Sequence, residues 1–178
     1  MARRELRLKH VFHPRDVFPR VRFRVPEEWA EDYSDPEVGL FYSPPDHGGG
    51  PWPIGGMLFA FSGSKKTESE WTPESFEQYV LACFPGAGSR RLPDGTWLAY
   101  SKEYKKEETH HAVIHNWSRL MASGCEVRLF GWSFTGVSEF YGKPGDCYYN
   151  VVEMLDREIE AAEVCTAGPG TARERGNT

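Results

Sequence analysis

The sequence predicts an α+β fold: an antiparallel β-sheet flanked by helices, closed by a C-terminal amphipathic helix. Three observations predict it. In Val21-Arg22-Phe23-Arg24-Val25 apolar and basic residues alternate strictly, the period of a half-buried strand. Met57-Leu58-Phe59-Ala60-Phe61 is an almost continuous apolar run, which we read as a central strand covered on both faces. Tyr148, Val152, Leu155, Ile159 and Ala162 recur at helical spacing and define an apolar stripe.

The remaining elements follow in order. Leu6-Arg7-Leu8-Lys9 repeats the strand alternation. Pro26 ends the strand that precedes it, because proline lacks the N–H a ladder needs. Glu27 and Glu28 then read as a first helical turn, with Trp29 and Tyr33 one turn apart toward the core. Gly39-Leu40-Phe41-Tyr42-Ser43 reads as a strand running into an irregular loop at 44–56, where nine of thirteen residues are Gly or Pro. Thr72 and Pro73 are a helix N-cap and first helical residue, and Phe76, Val80 and Cys83 mark its apolar face. Pro93-Asp94-Gly95 is a turn before the strand Trp97-Leu98-Ala99-Tyr100. Residues 109–121 fit either a helix or a strand; with Ala122-Ser123-Gly124 as a turn into a strand that Cys125 opens, we read 111–134 as a long hairpin. Asp146 is the expected cap of the last helix. Residues 1–165 form one expected domain, and 166–178 a flexible tail with nothing to bury.

The 178 residues are 39% hydrophobic and 14% aromatic, with six Trp, which excludes a disordered chain. The sequence has neither an apolar run near the ~20 residues of a membrane span nor a signal-peptide core, so we expect a cytoplasmic protein without membrane partners. Cys83, Cys125, Cys147 and Cys165 form no Cys-x-x-Cys pair, which sets aside ribbon-type metal sites and thioredoxin-like chemistry. Charge is uneven. Residues 1–25 carry eight basic and two acidic groups; the other 153 carry 13 basic and 24 acidic, a net of −11. A basic arm is one signature of nucleic-acid binding. Strict alternation reads instead as a strand with its arginines on the wet face.

The turn Phe23-Arg24-Val25-Pro26-Glu27-Glu28-Trp29, the strand Arg128-Leu129-Phe130-Gly131-Trp132-Ser133-Phe134-Thr135 and the closing segment Met154-Leu155-Asp156-Arg157-Glu158-Ile159-Glu160-Ala161-Ala162 resemble the PsbP-like group over about residues 18–165. The second and third are also similar to small uncharacterised bacterial proteins. The resemblance implies an α/β/α sandwich around an antiparallel sheet. It also implies a protein-binding role, since members bind a nuclear-transport GTPase, a photosystem core or secreted effectors. No binding motif of the family is present to carry over.

No catalytic signature stands out. His110, His111 and His115 lie near Glu107 and Glu108, and two histidines four apart share a metal only on a helix. On a strand His111 and His115 lie about 13 Å apart, so we expect no metal and no cofactor. Cys147, in the first turn of the last helix, sits where the dipole favours a thiolate. The loop at 44–56 carries Asp46, His47 and Trp52. It is either a recognition loop with Trp52 as anchor or a cover for the sheet edge. We expect a non-catalytic protein-binding module acting as adaptor, chaperone or immunity-like inhibitor of another protein. The alternatives are a small enzyme using His111, His115 or Cys147, and nucleic-acid binding through the basic N-terminal segment.

Overall fold

The computed structural model describes residues 7–14, 19–35, 37–42, 57–106, 111–137 and 147–166. Its elements are β1 (Leu8–His13), β2 (Arg20–Pro26), β3 (Ala30–Asp35), β4 (Val38–Tyr42), β5 (Met57–Lys66), α1 (Pro73–Cys83), β6 (Gly88–Arg91), β7 (Trp97–Lys106), β8 (His111–Ser123), β9 (Glu126–Val137), α2 (Cys147–Glu160) and β10 (Glu163–Cys165). They form a seven-stranded antiparallel sheet in the order β3-β4-β5-β9-β8-β7-β6 and a three-stranded one in the order β1-β2-β10.

The alternation at residues 21–25 buries Val21, Phe23 and Val25 and leaves the arginines between them toward solvent. Those arginines meet acids from the far end of the chain. Arg22 pairs with Glu163 at 2.5 Å, and Arg24 takes Glu158 through contacts of 2.6 and 2.9 Å. The basic stripe is therefore matched within the protein.

The small sheet and α2 pack together on one face of the large sheet. Phe23 meets Phe41 and Trp132 edge-on, with ring centroids 5.4 and 5.7 Å away. Val151, Met154, Leu155 and Ile159 of α2 join the same cluster, with Leu58, Leu98, Trp117, Phe130 and Phe134 below. Leu155 is fully buried. Leu155→Ala is expected to lower the unfolding free energy by about 2–5 kcal/mol in urea melts, the range for an emptied core position. No loss of stability there would show that α2 does not dock.

α1 lies on the opposite face. Thr72 accepts the Ser75 amide at 3.2 Å, and the Ser75 hydroxyl accepts the Thr72 amide at 3.0 Å, so the helix start is capped from both sides. Phe76 and Val80 pack on Leu120 and Val127. Helices thus flank the sheet on both faces, as the sequence predicts.

Four expectations need correction. Residues 30–35 form strand β3, not a helical turn. The turn closes with the Trp29 amide on the Pro26 carbonyl at 3.0 Å, and the chain then pairs with β4. Trp29 is still buried and Tyr33 partly so, because the sheet brings them to the core by another route. β5 is covered on one face only: Leu58 and Ala60 are buried, while Met57 and Phe61 are 37% and 39% exposed. Cys83 is exposed, and Phe84, one residue on, packs in its place. Cys125 is exposed in the β8–β9 turn rather than inside a strand. The short strands β6 and β10 carry no apolar pattern and form by pairing to β7 and β2. Asp146 and residues 167–178 lie outside the described residues.

Candidate functional site

The β8–β9 hairpin decides the fate of the histidines. β8 pairs with β9 from Ala112 to Ser123, so His111 and His115 stand four apart on a strand, the spacing that keeps two ligands from one ion. The side chains of His111 and Cys147 are not among those described; their backbones open β8 and α2. Among the described residues no three His, Cys, Asp or Glu side chains are grouped to hold a metal ion.

His115 is 1% exposed, on the face of the large sheet that looks toward α2. Its Nδ1 lies 2.8 Å from the Tyr100 hydroxyl, and its ring stacks on Trp117 at 5.8 Å. Burial, with the Lys102 charge second, lowers its pKa to about 4, against an opposing pull from Asp156. The imidazole is therefore neutral at pH 7. The Trp117 indole N–H donates to the Asp156 carboxylate at 2.9 Å, which ties β8 to α2. Burial, reinforced by Asp156 and Tyr104, raises the pKa of the Tyr100 hydroxyl. Above this layer a cleft of about 540 Å³ opens between α2 and β6–β7, lined by Tyr100, Lys102, Tyr149, Val152, Glu153 and Asp156 among others. None of the described cysteines lines it. His115 and Tyr100 thus form a buried polar pair inside the sheet face that α2 covers.

A second surface is the part of the large sheet that α1 leaves open. An eleven-residue helix is about 16 Å long, and α1 covers only the end near Leu120 and Val127. Beyond it, the pleat places Leu40, Met57, Phe59, Phe61 and Ile114 on one face. All five are partly or largely exposed. Phe61 lies opposite Gly131, and its ring covers that glycine so closely that a Cβ there would come within 2.1 Å. Gly131, Ser133 and Thr135 of β9 are small, so the strip of large apolar groups on β5 stands proud. The sequence reading missed it, because an unbroken apolar run does not tell one buried face from two.

Asp46, His47 and Trp52 lie outside the described residues. The segment that carries them joins Tyr42 to Met57, which are paired neighbours at the end of β4 and β5. Tyr42 and Met57 themselves lie at the same end of the sheet as the open apolar strip.

No protein-family model matches the chain, and no curated protein matches it. The fold is an α+β sandwich that recurs in solved bacterial proteins. One is LpqN of Mycobacterium tuberculosis, described as involved in cell envelope biogenesis: TM-score 0.53, 12% identity, over 91% of this chain and 92% of that one. Another is a Bacteroides thetaiotaomicron protein, with TM-score 0.50 and 20% identity over 81% of this chain. The chain spans 44% of the length of that protein. The Ran-binding protein Mog1p of Saccharomyces cerevisiae aligns over 90% of this chain at a TM-score of 0.48 and 10% identity. At these identities the likeness is one of fold.

Proposed function

We propose that the chain is a non-catalytic, cytoplasmic protein-binding module of PsbP-like type, one domain over residues 1–165, acting as adaptor, chaperone or immunity-like inhibitor of a partner protein. The observation that carries this reading is the open strip of Met57, Phe59 and Phe61 on the face of the large sheet away from the main core. Contiguous exposed apolar surface of this kind marks interaction sites in soluble proteins. Trp52, with Asp46 and His47 in the segment between Tyr42 and Met57, is the aromatic side chain we infer as a further anchor for the partner. A net charge of −11 over residues 26–178 favours a basic partner, with long-range attraction speeding encounter. No described helix is long and apolar enough to cross a membrane. The internal pairing of Arg22 and Arg24 weighs against a nucleic-acid arm.

The test is affinity capture from the native organism with the wild-type chain, followed by titration of the captured partner. Phe61→Asp is expected to leave the melting temperature within a few degrees, since a surface position costs little. It is expected to weaken the partner by about 2 kcal/mol or more, as is Trp52→Ala, the loss typical of a central aromatic anchor. Unchanged affinity in Phe61→Asp would remove the strip from the interface. A large stability loss in Trp52→Ala would make that side chain a core cover.

A further inference from the structure

β7 runs for ten residues, but β6 pairs only with its first four, ending with Gly88 opposite Tyr100. No described strand continues the line of β6 beside Ser101–Lys106, although β8 pairs with that stretch along its other side. A strand edge of this length is a template for main-chain hydrogen bonds. The cleft opens at the same place: Gly88 and Ser89, where β6 begins, line it together with Tyr100, Lys102 and Tyr149. Tyr149 is 37% exposed and Tyr104 is 71% exposed. The edge is basic on an acidic protein, with Lys102, Lys105 and Lys106 against Glu103, all exposed. Those lysines repel a second copy of the same edge and attract an acidic strand.

We propose that this edge and cleft together take an extended acidic segment of a protein, which adds as a strand beside Ser101–Lys106 and seats one aromatic side chain against Tyr100 and Tyr149. The main chain supplies hydrogen bonds, the cleft selects the anchor, and the lysines select charge. The proposal shares with the protein-binding reading only the kind of ligand; its surface is separate from the Phe61 strip.

The test is selection of random twelve-residue peptides displayed on phage against the full chain, then anisotropy titration of the selected peptide. The expected sequences are rich in Asp and Glu with one aromatic residue. Binding of such a peptide is expected to fall about tenfold or more in Tyr149→Ala and in Lys105→Glu/Lys106→Glu, and to be unchanged in Phe61→Asp. Hydrogen exchange at the amides of Ser101–Lys106 is expected to slow in the complex. Neutral or basic selected peptides, an empty selection, or unaltered exchange at those amides would overturn the proposal. Loss of binding in Phe61→Asp would do so too, placing the peptide on the outer strip. Failure of the captured partner to use the Phe61 strip leaves every one of these readouts intact, so the two accounts fail separately.

Discussion

Stability is expected to fall steeply as pH drops from about 6.5 to 4, by on the order of 3 kcal/mol for each of two buried histidines. His13 and His115 are 2% and 1% exposed, and burial lowers both pKa values to about 4 from 6.5. His13 has no hydrogen-bond partner on either ring nitrogen among the described residues and faces Gly39, whose Cβ position lies 3.2 Å from its Nδ1. A proton therefore binds the unfolded chain more tightly than the folded one. Above about pH 6.5 both states hold neutral imidazoles and nothing is lost. Between 6.5 and 4 only the unfolded state charges, so unfolding is favoured progressively. Below 4 both states are charged and this contribution levels off. Urea melts at half-unit pH steps measure it. The double variant His13→Leu/His115→Phe is expected to flatten the curve in that window. An unchanged slope would mean that these imidazoles accept protons in place.

Arg119→Met is expected to destabilise the fold by about 3–5 kcal/mol, the scale for breaking a buried charged network. The Arg119 side chain is 4% exposed. It donates to the Thr96 hydroxyl at 3.0 Å, to the Ala162 carbonyl and to the Asp94 carboxylate. Three parts of the chain meet there: the β6–β7 turn, β8 and the short link between α2 and β10. Burial works to raise the pKa of Asp94, but hydrogen bonds from Thr96 and the guanidinium charge hold it below the usual carboxylate range. Methionine keeps much of the length and removes every donor, so the buried Ala162 carbonyl loses the guanidinium while the Thr96 hydroxyl retains Asp94. Thermal melts of Arg119→Met and Arg119→Lys check this. A wild-type melting temperature in both would show that water replaces the guanidinium without penalty.

Elements whose pattern is local were legible in the sequence. α1 announces itself through Thr72 and Pro73, α2 through the stripe ending at Ile159 and Ala162, and β2 through alternation that needs no partner to be read. The β8–β9 hairpin follows from one turn and two long apolar-polar runs. What was not legible depends on pairing across the chain. Trp29, just before β3, and Tyr33 within it stand at helical spacing, and only the ladder with β4 makes residues 30–35 a strand. β6 and β10 exist because β7 and β2 offer them an edge. Arg119 reads as an ordinary surface arginine until residues 94, 96 and 162 converge on it. His115 reads in the sequence only as one of a cluster of histidines. Its actual place, beneath Tyr100 and against Trp117, follows from the β7–β8 register, which sets Tyr100 opposite Trp117. The open strip on β5 turns on where an eleven-residue helix stops, which no residue of β5 encodes.

The face of the large sheet left open by α1 is the surface proposed to bind a partner protein. Carbene footprinting of the chain, free and saturated with its captured partner, tests it most directly. Met57, Phe59 and Phe61 are expected to lose most of their labelling in the complex while Leu81, exposed on α1, keeps its own. Unaltered labelling of Met57, Phe59 and Phe61, with protection elsewhere on the surface, would contradict it.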